Sequence, residues 1–222
     1  MFRSIVAAAL LSSGLGAQAL GDVPTVYNLS AGFGSGLTTL SASASRSTYV
    51  GTSGRFMFGL AARTTAVVTS GIELTPVDPL GFATPVDVLS VSGSGVTLNI
   101  GITTGLELTN RLSVGFNLDL FGFSVGSGST GSYYPTPGSA AEQLTSKIAS
   151  PNLFLGGDGD RGVLNSEFFL AWTLNDRFAL RGGLSHQAVE FKVNPETIDS
   201  GTPRFRKFAN LVFVGLRVST PQ

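Results

Sequence analysis

The sequence has no cysteine among its 222 residues. Disulfide bonds, thiolate metal sites and cysteine nucleophiles are therefore excluded. Charge is also scarce, because only 13% of residues are charged and 14 Lys or Arg balance 14 Asp or Glu. This balance argues against nucleic acid as a partner, since surfaces that bind nucleic acid gather Lys and Arg on one face.

Long apolar runs are missing as well. The mean hydropathy is +0.29, yet beyond the first twenty residues no run reaches the roughly 18 apolar residues that a membrane-spanning helix needs. A membrane-spanning β-strand needs an apolar residue only at every second position, on the side that faces lipid. The composition therefore favours a transmembrane barrel over a helical membrane protein.

The N-terminus has the features of a secretory signal peptide. Met1-Phe2-Arg3 supplies a positive start, Ser4 to Leu11 is apolar, and Ala17-Gln18-Ala19 is a small-x-small cleavage site. We expect residues 1–19 to be removed and residues 20–222 to form a single domain. No cysteine follows the cleavage site, so a lipoprotein anchor is excluded.

Three short segments share one pattern: a polar turn, then Arg, then an apolar residue. They are Ser53-Gly54-Arg55-Phe56, Thr109-Asn110-Arg111-Leu112 and Asn175-Asp176-Arg177-Phe178. Asn, Asp and Gly tolerate the backbone angles of tight hairpin turns. Runs of alternating apolar and polar residues flank these segments, which is the signature of β-strands.

The alternation predicts eight strands, at 25–34, 37–47, 55–68, 95–108, 112–125, 162–174, 178–191 and 205–218. The three turns and both termini then lie at one end. The other end carries a tight turn at 34–36 and longer loops at 69–94, 126–161 and 192–204. The predicted fold class is all-β: a transmembrane antiparallel up-and-down β-barrel. A soluble periplasmic β-sandwich is the competing fold.

This pattern resembles the eight-stranded bacterial outer-membrane barrels, such as the OmpA transmembrane domain. The resemblance covers nearly all of residues 20–222 and implies a location in the outer membrane. It also implies outer-membrane lipid and the barrel-assembly machinery as partners. Members of that class commonly end on an aromatic residue, whereas this sequence ends on Gln222, a departure that concerns the assembly signal.

If the apolar residues face lipid, ten polar residues face the lumen. They are Arg63, Asn99, Glu107, Asn117, Asp119, Asn165, Glu167, Arg181, Gln187 and Arg217. A barrel of eight strands is just wide enough for side chains to fill it, and buried charges require partners. We expect a lumen closed by ion pairs; the alternative is a narrow pore lined by the same residues. Phe121, Phe123 and Phe213 also point inward by parity and favour closure.

Three aromatic residues flank the short turns on the lipid face: Phe56, Trp172 and Phe178. Aromatic girdles mark the membrane interfaces of such barrels, so we expect these residues to lie at one interface. The alternative is ordinary core packing in a soluble sheet.

Candidate chemistry is sparse. His186, the only histidine, follows Ser185, but neighbours on a strand face opposite sides and cannot form a nucleophile–base pair. His186 and Glu190 share a face, as in some lipid A deacylases, but those enzymes place a serine where this sequence has Ala188. The run Gly156 to Asp160 resembles a calcium-binding repeat, but it occurs only once. We assign no catalytic, cofactor-binding or metal-binding residue.

The longest loop contains a capping box, Ser139 to Glu142, followed by Leu144 and Ile148. This spacing predicts a short helix over 140–149, either packed over the barrel mouth or available to a partner.

The leading hypothesis is a non-enzymatic barrel with a structural or surface-contact role through loops 69–94 and 126–161. A small porin-like pore or carrier is the second hypothesis, and an outer-membrane lipid-modifying enzyme is the third.

Overall fold

The computed structural model describes residues 25–51, 54–77, 87–135, 139–194 and 203–220. The predicted signal peptide lies outside them. The strands are β1 (Thr25–Gly34), β2 (Leu37–Val50), β3 (Phe56–Pro76), β4 (Val88–Glu107), β5 (Leu112–Gly126), β6 (Ser129–Tyr134), β7 (Glu142–Ile148), β8 (Asn152–Leu153), β9 (Leu164–Thr173), β10 (Phe178–Val193) and β11 (Arg204–Ser219). A 3-10 helix occupies Gly157–Gly159. No helix among these residues is long and apolar enough to cross a membrane.

Eight of the strands close into an antiparallel ring, in the order β1–β2–β3–β4–β5–β9–β10–β11. The first and last strands complete it, with Val26 opposite Ser219 and Phe33 opposite Val212. The predicted all-β fold, an antiparallel up-and-down barrel of eight strands, is therefore confirmed. The predicted bounds of β1 match those of the structure, whereas β3 and β4 extend far into the segment predicted as a loop at 69–94.

The ring narrows towards the end that carries the long connections, here called the long-loop end. The β1–β2 hairpin stops at Gly34–Gly36, and above it β11 pairs directly with β3, Phe205 opposite Pro76. On the far side, β6 and β7 pair with each other and bridge β4 to β10. Six strands, β3, β4, β6, β7, β10 and β11, therefore form a second closed ring at the long-loop end, here called the upper ring.

At the opposite, short-turn end, side chains of two turns bond to the backbone of the strands that follow. Thr109 Oγ1 accepts hydrogen bonds from the backbone N–H groups of Arg111 and Leu112. Asn175 Oδ1 accepts the equivalent pair from Arg177 and Phe178. These two turns therefore share a geometry in which a polar side chain satisfies the donors of the residues that begin the next strand. Ser53 of the remaining segment lies outside the described residues.

A β-bulge in β5 makes one expectation wrong. Asp119 pairs with Gly101 and Phe121 pairs with Ile100, so Leu120 is an extra residue. One inserted residue reverses the side on which all later side chains lie. Phe121 and Phe123 are consequently outside the barrel, 48% and 64% exposed, whereas Phe213 points inward and is buried as expected.

The predicted helix over 140–149 is also wrong, because this segment forms β7 and pairs with β6 in a hairpin. Leu144, Ser146 and Ile148 are buried, while the residues between them are exposed. That period of two fits a strand, and the ladders of β6 and β10 complete its hydrogen bonding. Tertiary pairing outweighs the local capping box.

Candidate functional site

The interior of the eight-stranded ring receives all ten side chains that parity assigned to the lumen. Eight of them are buried: Arg63, Asn99, Asn117, Asp119, Asn165, Glu167, Arg181 and Gln187. Glu107 and Arg217 are partly exposed at the short-turn end. Seven of the buried residues belong to one polar network, and Gln187 lies beside it without a partner for its Oε1.

Two arginines and two acids form the charged centre of this network. Arg63 contacts Glu167 at 2.8 Å and Asp119 at 3.5 Å. Arg181 contacts the other oxygen of Glu167 at 3.2 Å. All four side chains are nearly inaccessible to solvent. The two positive and two negative charges balance, which is the condition for burying them together.

Amide side chains add further hydrogen bonds to both carboxylates. Asn99 donates to Asp119 Oδ2 at 2.8 Å, and Asn117 donates to Glu167 Oε2 at 2.8 Å. Asn165 donates to Glu167 Oε1 at 3.2 Å and accepts from Ser185 Oγ at 2.6 Å. The network therefore occupies the interior of the barrel at this level.

Sequence reasoning missed Asn152, which extends the network upward. Its side chain donates to Asn99 Oδ1 at 2.7 Å and accepts from Ser124 Oγ at 2.7 Å. It also accepts from the backbone N–H of Val163. Asn152 lies in the two-residue strand β8, beside β5 where β5 diverges from β9. No alternating pattern marks so short a strand.

Above the polar network the upper ring contains a continuous apolar core. Its members include Ile72, Leu74, Leu89, Val91, Leu144, Val189, Phe191 and Phe205. Tyr133 packs edge-on against Phe205, with ring centroids 6.0 Å apart, and donates its hydroxyl to Asp87. Apolar side chains therefore fill the interior of the upper ring in its described part.

Below the network, a cavity of ≈ 400 Å³ opens between the turns at the short-turn end. Arg217, Glu107 and Tyr49 line it, and the Tyr49 hydroxyl donates to Glu107 Oε1 at 2.5 Å. Phe169 forms part of the inner wall, with the Arg181 guanidinium 4.0 Å from its ring centre. The cavity therefore ends where the charged network begins.

The outer wall of the eight-stranded ring is an apolar belt. Its exposed side chains include Leu29, Phe33, Leu60, Leu98, Phe116, Phe123, Leu170, Leu184, Val212 and Val214. Phe56, Trp172 and Phe178 are exposed at the short-turn edge of this belt. The backbone hydrogen bonds of the ring close on themselves, and only such a closed barrel can present an apolar wall of strands to lipid.

The long-loop edge of the belt carries the polar residues weighed for catalysis. His186 hydrogen bonds to Asn210 at 2.8 Å and stacks on Phe208. The carboxylate of Glu190 binds Arg204 at 2.7 Å and Arg206 at 3.0 Å. Ser185 lies on the other side of the wall, inside the barrel.

Glu190 is fully buried although parity places it on the outer wall. The segment after β8 covers it, and Arg206 donates to the carbonyl oxygen of Asp160. The hydrogen bond to Glu190 raises the pKa of Arg204, while burial lowers the pKa of Arg206. Glu190 therefore serves as the anchor of two arginines.

The Gly156 to Asp160 segment is a tight loop closed by its own acid. Asp160 Oδ1 accepts the backbone N–H groups of Leu155 and Gly156, each at 2.8 Å. No group of three or more His, Cys, Asp or Glu side chains within the described ranges could hold a metal ion.

No protein-family model matches the sequence, and no curated protein matches it. Among solved structures, Neisserial surface protein A is similar with a TM-score of 0.38 and 8% identity, over 88% of this chain and 94% of that one. A major outer membrane protein from Thermus thermophilus has a TM-score of 0.41 and 16% identity, over 89% and 99%. The P. putida toluene transporter TodX has a TM-score of 0.26 and 12% identity, over 89% and 77%.

Proposed function

We propose that this outer-membrane β-barrel is a closed, non-enzymatic surface protein that presents a rigid β-structured extension outside the cell. The observation that carries the proposal is the six-stranded upper ring with its apolar core. The barrel wall continues above the apolar belt, and its interior there is filled by side chains.

The belt and its edges support the membrane location. Outer-membrane barrels have short turns on the periplasmic side, longer loops outside and aromatic residues at the interfaces. The short-turn end, with Phe56, Trp172 and Phe178 on its outer edge, corresponds to the periplasmic side. The long-loop end then projects from the cell surface.

The filled interior supports a role other than transport. A solute crossing the barrel would have to displace the network around Glu167 and then the apolar core around Phe191 and Phe205. A small pore or carrier remains the second candidate, favoured only by the open cavity at the periplasmic end.

The positions of His186 and Glu190 give little support to a lipid-modifying enzyme. A hydrolytic base must reach a nucleophile within hydrogen-bond distance. His186 instead faces Asn210, and Glu190 binds two arginines rather than the imidazole. Replacing His186 and Glu190 with Ala should therefore leave the lipid composition of the outer membrane unchanged.

Planar-bilayer conductance tests whether the barrel is closed. The folded protein should produce no reproducible current steps, while a general porin in the same bilayers serves as the positive control. The heat-dependent shift in SDS gels shows whether the protein is fully folded. Reproducible current steps from fully folded protein would overturn closure and favour the pore.

Surface labelling tests the extension. An epitope inserted between β6 and β7, near Ser139, should bind antibody on intact cells. The matched insertion at Asn110, in the short turn between β4 and β5, should bind only after the cells are permeabilised. The reverse result, or no labelling of either folded protein on intact cells, would refute surface display.

A further inference from the structure

We propose that the periplasmic cavity is a binding site for a small oxyanion, a phosphate or carboxylate group, with Arg217 as its main ligand. The site follows from the barrel interior. Only its access from the periplasm rests on the proposed function, because that access depends on the orientation of the barrel in the membrane.

The cavity has the size and lining of a ligand pocket. Its volume of ≈ 400 Å³ lies within the range of about 300–1,000 Å³ typical of small-molecule sites. The wall combines apolar surface with hydroxyl groups, from Ser45, Ser47, Thr103, Ser113 and Thr173. Hydroxyl groups can donate hydrogen bonds to an anion without adding negative charge.

Arg217 differs from the other two arginines of the lumen. Arg63 and Arg181 both bind Glu167, whereas Arg217 has no ion-pair partner among the described residues. Its Nε is buried and without a hydrogen-bond partner, as are Nη1 of Arg63 and Nε of Arg181, so the missing ion pair is what sets Arg217 apart. The contact of its guanidinium with the Phe169 ring, 5.4 Å from the ring centre, leaves the fork of donors available for a planar oxyanion.

The charge around the cavity favours an anion. Arg111 and Arg177 lie at its rim, in the two short turns, and add to the charge of Arg217. The opposing acids are Glu107 and Asp176, and Glu107 is already bound by the Tyr49 hydroxyl. The lining therefore has three bases and two acids. The net charge of the lining is +1, and a positive potential in a cleft raises the local concentration of anions.

The inner end of the cavity is closed, so the site captures an anion and does not pass it on. At this end Arg217 and Arg181 both contact the Phe169 ring, and Arg181 is held by Glu167. The oxyanion can come from a free periplasmic solute or from the headgroup of a phospholipid in the inner leaflet. Both sources supply the same chemical group.

Isothermal titration of the folded barrel in zwitterionic nanodiscs, with inorganic phosphate and with citrate as probes, tests the site. We expect saturable binding that Arg217→Gln weakens by at least about tenfold, the effect of losing a charged hydrogen-bonding partner. Arg217→Lys, which keeps the charge and loses the fork, should be intermediate. The matched control is Arg46→Gln, because Arg46 bonds to Thr25 and does not line the cavity.

Absence of binding by the wild-type barrel to both probes would overturn the site, as would equal losses in Arg217→Gln and Arg46→Gln. Heat-dependent gel shifts establish that each variant is folded. Nanodiscs with added phosphatidylglycerol distinguish the two sources. If the lipid headgroup occupies the site, apparent phosphate affinity falls in wild type as this lipid is added. If a free solute is the ligand, the affinity is unchanged.

The outcome is separable from that of the proposed function. Conductance reports on the upper ring and its apolar core, whereas anion binding reports on Arg217 at the other end of the barrel. A barrel that conducts and binds phosphate through Arg217 would refute closure alone. A closed barrel that binds neither probe would refute the anion site alone.

Discussion

Glu167 lies at the centre of the charged network in the barrel interior. It is the shared partner of two arginines, at 2.8 Å from Arg63 and 3.2 Å from Arg181. The substitution Glu167→Gln keeps the shape and removes the charge. Arg63 then retains only Asp119, and Arg181 is left without an ion-pair partner in the described network. One uncompensated positive charge stays buried in the barrel.

Breaking a buried ion pair by removing one partner costs about 3–5 kcal/mol, because the other charge loses its compensation. Gln has a single acceptor oxygen, so it can accept a hydrogen bond from only one of Asn117 and Asn165, and its NH2 group then faces the donor of the other. No reduction of this cost is therefore expected. With a denaturant dependence of about 1–3 kcal/mol per molar urea, the unfolding midpoint in lipid vesicles should fall by about 1 M or more.

The control is Glu142→Gln, which removes the same charge from an exposed position in β7. This variant should change the free energy of unfolding by less than about 0.5 kcal/mol. The double variant Glu167→Gln with Arg181→Gln restores neutrality and should recover part of the loss. If Glu167→Gln is no less stable than Glu142→Gln, the charged network contributes no stability and the reasoning fails.

Two further predictions concern the wall of the barrel. Because the chain has no cysteine, a fluorophore can be attached to a single engineered thiol. Lipid-phase quenchers should reach the label in Phe123→Cys and should not reach it in Ser124→Cys. The reverse result would refute the bulge at Leu120. Gly183→Ala would place a Cβ 2.0 Å from the carbonyl oxygen of Phe168, whereas a Cβ at Gly182 would have its nearest atom 3.5 Å away. The temperature at which the folded band is lost in SDS gels should therefore drop more for Gly183→Ala than for Gly182→Ala. Equal drops would contradict the close approach of the strands.

The alternation of apolar and polar residues was sufficient to predict the eight-stranded ring. A strand with one face in lipid and one in the lumen has a strict period of two, and this signal holds over the long runs of β4, β5 and β10. The same parity placed Arg63, Asp119, Glu167 and Arg181 on the inner face, although it could not pair them.

The wrong expectations, for Phe121, Phe123 and the helix over 140–149, concern segments where the alternation of apolar and polar residues no longer indicates which face a residue lies on. At Leu120 one extra residue reverses the faces. The glycines beside this bulge, Gly101 opposite Asp119 and Gly122 beyond Leu120, have no room for a Cβ of their own. Between 126 and 161 the strands are short, and their partners are distant in sequence. The capping box at Ser139 therefore pointed to a helix that the ladder of β10 does not permit.

The position of Arg217 in the wall of a cavity could not be predicted from the sequence either. Parity placed Arg217 inside, but every charge inside was expected to have a protein partner. Only the structure shows that Tyr49 at the end of β2 binds Glu107. This contact occupies the acid that was available to Arg217.

The direct contact of β11 with β3 above the first hairpin affects how the ring closes during folding. Pairing Val26 with Ser219 joins the two ends of the domain, and the entropic cost of such a closure rises with the length of chain enclosed. The contact between Phe205 and Pro76 encloses a shorter stretch. Once it has formed, the hairpin of β1 and β2 enters a gap whose two sides already have a fixed register. Closure then becomes a local docking step rather than a search over the whole chain.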